Sequence, residues 1–138
     1  MIFPLNYIKK SPHRNCLEKH LQKELPKLDG SVLDIGSGGR RYDFLLKEKP
    51  KAIDTKPNEA IDIKFGDVNS LQYDESSFDN ILCVEVLEYV KTPQKAVEEI
   101  LRVLKPKGTL ILSVPFMYKA HEDFLRFTRD YLKELFIG

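Results

Sequence analysis

The chain has 138 residues, 42% of them hydrophobic and 31% charged, with a formal net charge of +1. This is the size of one domain with one buried core, here residues 1–138, and the composition excludes a disordered or fibrous chain. A net charge near zero leaves no bulk field to recruit nucleic acid or an anionic membrane surface, and no apolar run approaches the ~20 residues that cross a bilayer.

The opening residues, MIFPLNYIKKSPHR, place their cations after a very short apolar start, the reverse of a signal peptide. Cys16 and Cys83 lie far apart and fit no metal spacing, so two free thiols in a reducing cytoplasm are expected. Residues 14–25 set Leu17, Leu21 and Leu25 at helical spacing, and Pro26 closes that helix. Gly30 and Ser31 lead into a first strand, VLDI, and a glycine-rich turn follows it. YDFLLKE reads as a short helix before Pro50, and KAIDT as a second strand. AIDIKF alternates Ile61, Ile63 and Phe65 as a third strand, followed by SLQYDESS, a polar turn or short helix. FDNILCVEV is a fourth strand, apolar enough to be buried on both faces. Thr92 and Pro93 form an N-cap and first-turn pair for PQKAVEEILRVLK, whose apolar face is Val97, Ile100, Leu101 and Leu104. Residues 106–108, PKG, stop that helix, and TLILSVP is a fifth strand. An aromatic loop carrying His121 comes next, and Thr128 caps a last helix, RDYLKELF.

Strands alternating with helical segments predict parallel strands joined by right-handed crossovers, that is, an α/β Rossmann-like, doubly wound open sheet. In such sheets a ligand sits outside the carboxyl ends of the strands, beside strand one, which places it at the turn after Ile35. A dinucleotide turn reads G-x-G-x-x-G; here that register gives Gly36, Gly38 and Arg41, so the third glycine is absent. Asp34 precedes the turn. A carboxylate there repels a pyrophosphate and attracts an ammonium group, which S-adenosylmethionine carries on its methionine end with no phosphate at all. Asp54, twenty residues on, is placed to accept from ribose hydroxyls, and Asp67 from an adenine amino group. Each acid also has a plain alternative: a strand-end cap for Asp34, a solvated acid for Asp54, an Asx-turn for Asp67.

The stretches VLDIGSGGRRY, AIDTKP, GDVNSLQYDESSFDNILCVEVLEYV, PQKAVEEILRVLKPKGTLILSVPF and HEDFLRFTRDYLKEL together resemble a class I S-adenosylmethionine-dependent methyltransferase, of the small-molecule and sugar group often called type 11. The resemblance runs from Val32 to about Phe136. It implies five strands in order 3-2-1-4-5 with the usual C-terminal antiparallel hairpin missing. It further implies S-adenosylmethionine as cofactor, with Asp34, Gly36 and Gly38 along its methionine end and Asp54 on the ribose. Asp67 and Val68 would flank the adenine, Cys83 would lie beneath with Val84, and Glu85 would be close by. The family's third glycine is Arg40 here, and its "EH" histidine is Tyr89. Methyl transfer needs alignment first and a general base only when the nucleophile arrives protonated. His121 and Glu85 are the candidates for that base, with Glu88 and Tyr118 behind them. His13 and His20 belong to the N-terminal helix region and are expected to carry no chemistry. Two function classes follow: a methyltransferase acting on a small-molecule or sugar-like acceptor, and a non-catalytic cofactor- or partner-binding module of the same fold. A nicotinamide oxidoreductase is disfavoured by Asp34 and Arg41. With strand five at the sheet edge, a homodimer through that strand or the last helix is expected.

Overall fold

A computed structural model describes residues 11–117 and 122–137. Helix α1 (Pro12–Glu24) starts where Ser11 Oγ accepts from Arg14 N at 3.2 Å, with Pro12 in the first turn where a missing N–H costs nothing. Five strands follow: β1 (Val32–Ile35), β2 (Lys51–Asp54), β3 (Ile63–Phe65), β4 (Phe78–Val84) and β5 (Leu104–Ser113). All four pairings are parallel and the order is 3-2-1-4-5. Helices α2 (Pro93–Val103) and α3 (Arg129–Ile137) complete the chain order, and no antiparallel hairpin follows among the described residues.

The two-residue period of β1 and β4 sorts their side chains onto opposite faces. Leu33, Ile35, Ile81 and Cys83 join Ala96, Val97, Ile100 and Val103 of α2 and Leu135 of α3. Val32 and Leu82 join Leu17, Leu21, Leu25 and Leu28 on the α1 side. Helices therefore cover both faces, the sheet is doubly wound as expected, and β1 is buried from end to end. Among the described residues no helix is long and apolar enough to cross a membrane.

Several local expectations are corrected. The helix expected at 42–48 is one 3-10 turn, Asp43–Leu45, with Phe44 78% exposed. The strand expected at 60–65 begins only at Ile63. Asn58 captures the first half: its side chain accepts from Ala60 N at 3.2 Å, its backbone exchanges two hydrogen bonds with Ile63, and Asp62 turns left-handed. Only Ile63 is buried, and Ile61 and Phe65 face solvent. Strand four stops at Val84, two residues early. Thr92 does not cap α2; its hydroxyl donates to Asn69 Oδ1 at 2.9 Å, tying α2 to the loop after β3. The buried face of α2 is Ala96, Val97, Ile100 and Val103, with Leu101 exposed. Leu104 already belongs to β5, which pairs from Leu104 to Ser113 with a register shift opposite Phe78–Asn80. That shift absorbs the PKG turn, and Asp79 anchors it by accepting from Lys105 Nζ at 2.8 Å and from Ser31 Oγ at 2.7 Å.

Candidate cofactor and active site

A cavity of about 700 Å³ opens at the carboxyl ends of the strands, at the switch point where the chain order reverses beside β1. Ile35 and Gly36 form its floor. Asp54, Thr55 and Lys56 come from the end of β2, and Gly66 to Asn69 from the end of β3. Glu85, Val86 and Tyr89 to Lys91 come from the end of β4, and Glu122 and Phe124 close the rim. Lys91 Nζ lies 5.2 Å from the Phe124 ring centroid. Four carboxylates face two ammonium groups in this wall, so the cavity favours a cationic ligand over an anionic one.

The glycine turn shows why. Gly36 N and Ser37 N both donate to Ile53 O, at 2.8 and 3.2 Å, and Gly38 N donates to Asp54 Oδ2 at 3.1 Å. The N–H groups that would cradle a pyrophosphate are thus engaged with β2, and no long helix starts here to offer a positive dipole end. Gly36 is required twice over: its φ is +68°, and a Cβ would collide with Val86 Cγ2 across the floor. Arg40, standing where the family has its third glycine, is a staple. Its guanidinium meets Asp43 Oδ2 at 2.7 Å, Asp62 O at 2.8 Å and Pro50 O at 3.0 Å, locking the turn against the segments flanking β2.

Of the residues the sequence singles out, Gly36, Asp54, Asp67, Val68 and Glu85 meet on one cavity wall. Asp54 is half-buried; Oδ1 accepts from Lys56 N at 2.9 Å and Oδ2 from Gly38 N. A carboxylate has about four lone-pair directions, so roughly half its capacity still faces the cavity. Asp67 does form the Asx-turn, its Oδ1 accepting from Asn69 N at 2.9 Å and Asn69 Nδ2 at 3.2 Å. Gly38 touches the wall only through Asp54. Asp34 and Cys83 lie behind the wall, 4% and 0% exposed. His121 and Tyr118 fall outside the described residues.

Burial sets the charges behind the wall. Desolvation pushes Asp34 up from 3.8 to about 7; Asp43 and Asp54 add to the shift and Arg40 opposes it. Burial likewise pushes the Cys83 thiol up, with Glu88 and Asp34 adding to it, so it is an inert core thiol. Glu88 is 0% exposed and, among the described residues, neither carboxylate oxygen has a hydrogen-bond partner; desolvation lifts it from 4.5 to about 7.

Glu85 is held differently. It follows β4 directly with φ +58°, a left-handed backbone that costs a non-glycine residue on the order of 1–2 kcal/mol. Its Oε2 lies 2.9 Å from His13 Nε2, and its Oε1 accepts from Ser113 Oγ at 3.0 Å. His13 and Ser113 are the residues the sequence reading missed. His13 is 72 positions from Glu85, and only the fold brings α1 to the end of β4. Among the described residues no group of three or more His, Cys, Asp or Glu is arranged to hold a metal ion.

The comparisons with known proteins agree with this geometry. The ubiquinone biosynthesis O-methyltransferase of Coxiella burnetii is 28% identical over 111 residues, covering 69% of this chain and 47% of that protein. The chain spans about half the length of the curated relatives it matches. The "putative methyltransferase" solved in complex with the Haloferax volcanii Trm112 methyltransferase activator superposes with a TM-score of 0.70 at 25% identity, over 87% of this chain and 65% of that one. The [4+2]-cyclase SpnF has the same fold, with a TM-score of 0.72 at 22% identity, over 94% of this chain and 59% of that one. The methyltransferase domain family matches residues 33–112, from β1 through β5. That match covers more than half of the sequence and all of the strand framework around the cavity, and the chain belongs to the methyltransferase domain family.

Proposed function

We propose that the cavity binds S-adenosylmethionine and that the chain transfers its methyl group to a small-molecule or sugar-like acceptor. The observation that carries the reading is the glycine turn, whose amides are engaged with Ile53 and Asp54 and so leave no phosphate cradle. The residues fit this phosphate-free cation. Asp54 has acceptor capacity left for ribose hydroxyls, and Asp67 with Val68 would flank the adenine. Asp34, with Gly36 and Gly38 beside it, is a buried carboxyl whose charge an ammonium group would restore. Cys83 forms the apolar bed beneath. The cofactor supplies an electrophilic methyl group on a sulfonium. The chain's own task is to bind, align and exclude water, with Glu85 as the acceptor-facing carboxylate and His121 as the second candidate base. Calorimetry with S-adenosylmethionine, S-adenosylhomocysteine and NAD tests it. Micromolar binding of the first two and none of NAD is expected; the opposite pattern overturns the reading.

The competing function is a binding module of the same fold. The cyclase SpnF is a reminder that the architecture does not dictate methyl transfer. Turnover of the methyl cofactor against mixed hydroxyl and amine acceptors separates the two. The reading carries a cytoplasmic setting and a homodimer through β5 or α3. The Haloferax complex makes a protein partner the rival to a second copy.

A further inference from the structure

The clamp on Glu85 is more elaborate than the fold needs. α1 is already anchored by Leu17 and Leu21 in the core and by Arg14 Nη1 donating to Tyr42 Oη at 3.2 Å. β4 and β5 are already paired along their length, and Glu85 N continues that ladder by donating to Ser113 O at 3.0 Å. Yet three elements converge on one carboxylate. β4 presents it on a left-handed backbone, β5 holds one oxygen through Ser113, and α1 holds the other through His13. Glu85 belongs to neither core cluster, is 21% exposed in its side chain, and lines the cavity. A staple between helix and sheet requires neither the strained backbone nor a place on the cavity wall. A carboxylate that must present a fixed charge to a bound ligand requires both.

We propose that His13 is a positioning residue of the methyl-transfer site. With Ser113 it fixes the Glu85 carboxylate on the cavity wall, and the carboxylate so held discriminates the cationic, methyl-bearing cofactor from its neutral demethylated product. The inference rests on the cofactor reading above. Sulfonium and thioether differ by one methyl group and one positive charge, so a fixed negative charge nearby favours the first and is indifferent to the second. Three other carboxylates share the wall: Asp54 and Asp67 accept from turn amides at the ends of β2 and β3, and Glu122 stands on the rim, whereas Glu85 is placed at the end of β4 by the clamp. Behind the wall Glu88 is shifted toward its neutral form by burial, Asp123 pairs with Arg126 at 2.6 Å, and Arg14 is engaged with Tyr42. Such discrimination speeds exchange of spent for fresh cofactor.

The test is the ratio of two affinities, measured by calorimetry. Glu85→Gln is expected to weaken S-adenosylmethionine by about tenfold and leave S-adenosylhomocysteine unchanged. His13→Ala is expected to weaken only the first, by about threefold, because the freed carboxylate swings toward solvent. His13→Gln, which keeps a donor at similar reach, is expected to restore the ratio. Equal loss of both ligands in His13→Ala, or an unchanged ratio in Glu85→Gln, overturns the proposal. If the unaltered chain binds neither ligand, the cofactor reading itself fails, a distinct result. Thermal unfolding of each variant confirms that a folded protein was measured.

Discussion

A carboxyl group sealed from water without a partner costs stability once it ionises, and among the described residues Glu88 is such a group. The rim segment lies across it: Phe124 N and Leu125 N donate to Glu88 O at 2.7 and 3.1 Å. Unfolded, the carboxyl titrates near 4.5; folded, burial holds it at about 7. Below pH 4.5 it is protonated in both states and no charge is buried. Between those values the unfolded chain sheds its proton first, so stability falls as pH rises, and the loss is complete above 7. Glu88→Gln removes this slope. At pH 8 the variant is expected to be more stable than the unaltered chain by roughly 2–3 kcal/mol, and at pH 4 to match it. Urea unfolding at both values decides it; an equal difference at both would show that Glu88 is not the titrating group. Asp34 contributes a slope of the same sign, and its burial beside the glycine turn links that slope to the site. Asp54 is half-buried and accepts from two backbone N–H groups. Asp54→Ala is expected to weaken S-adenosylmethionine by about 1–3 kcal/mol in calorimetry; unchanged affinity in a folded variant would mark it as a turn cap alone.

At the scale of elements, the turn between β1 and β2 is held by Arg40, whose one side chain reaches acceptors on three segments. Arg40→Ala is expected to cost about 2–4 kcal/mol in urea unfolding, since it strands Asp43 and two carbonyls. Arg40→Lys should recover little, because a single ammonium cannot span the three acceptors. A cost under ~0.5 kcal/mol would mean that the turn holds without the staple. No sequence pattern announces this role, which depends on the chain returning at Pro50 and Asp62. The same limit governs the rest. α1, α2, β1, β4 and β5 were legible from their apolar patterns, the parallel sheet followed from the alternation of strand and helix, and the strand order came with the family resemblance. The first half of the third strand was misread because Asn58, a local hydrogen-bonding device, outcompetes the alternation of Ile61 and Ile63. Gly36, Asp54 and Asp67 were legible as wall residues because they follow strand ends that converge in this topology, while Val68 and Glu85 came with the family resemblance. His13 was not legible, since a contact spanning 72 residues leaves no local trace.

At the scale of the whole molecule, the open question is the outer edge of the sheet. Among the described residues β5 pairs only with β4. Its faces are covered: Leu110 and Leu112 pack on the α2 side, and Ile111 on the α1 side. Its edge is protected at one end by Lys105, Pro106 and Lys107, while Thr109 to Ser113 carry no charge. An uncharged parallel edge invites another strand, and lysine or proline along it is the usual deterrent. α3 adds apolar surface in the same C-terminal part of the chain, with Ile137 77% and Tyr131 43% exposed. A two-fold contact between copies would bury both features with one symmetric interface. The chain is therefore expected to sediment as a dimer at tens of micromolar and to shift toward monomer on dilution. Thr109→Lys, which charges the uncharged stretch, is expected to raise the dissociation constant by at least about tenfold, the effect of ~1.4 kcal/mol. A monomer at every concentration would reject the self-pairing and leave the edge to a partner of another kind. A dimer indifferent to Thr109→Lys would move the contact away from β5 and onto α3, where Ile137→Lys is the next substitution to sediment.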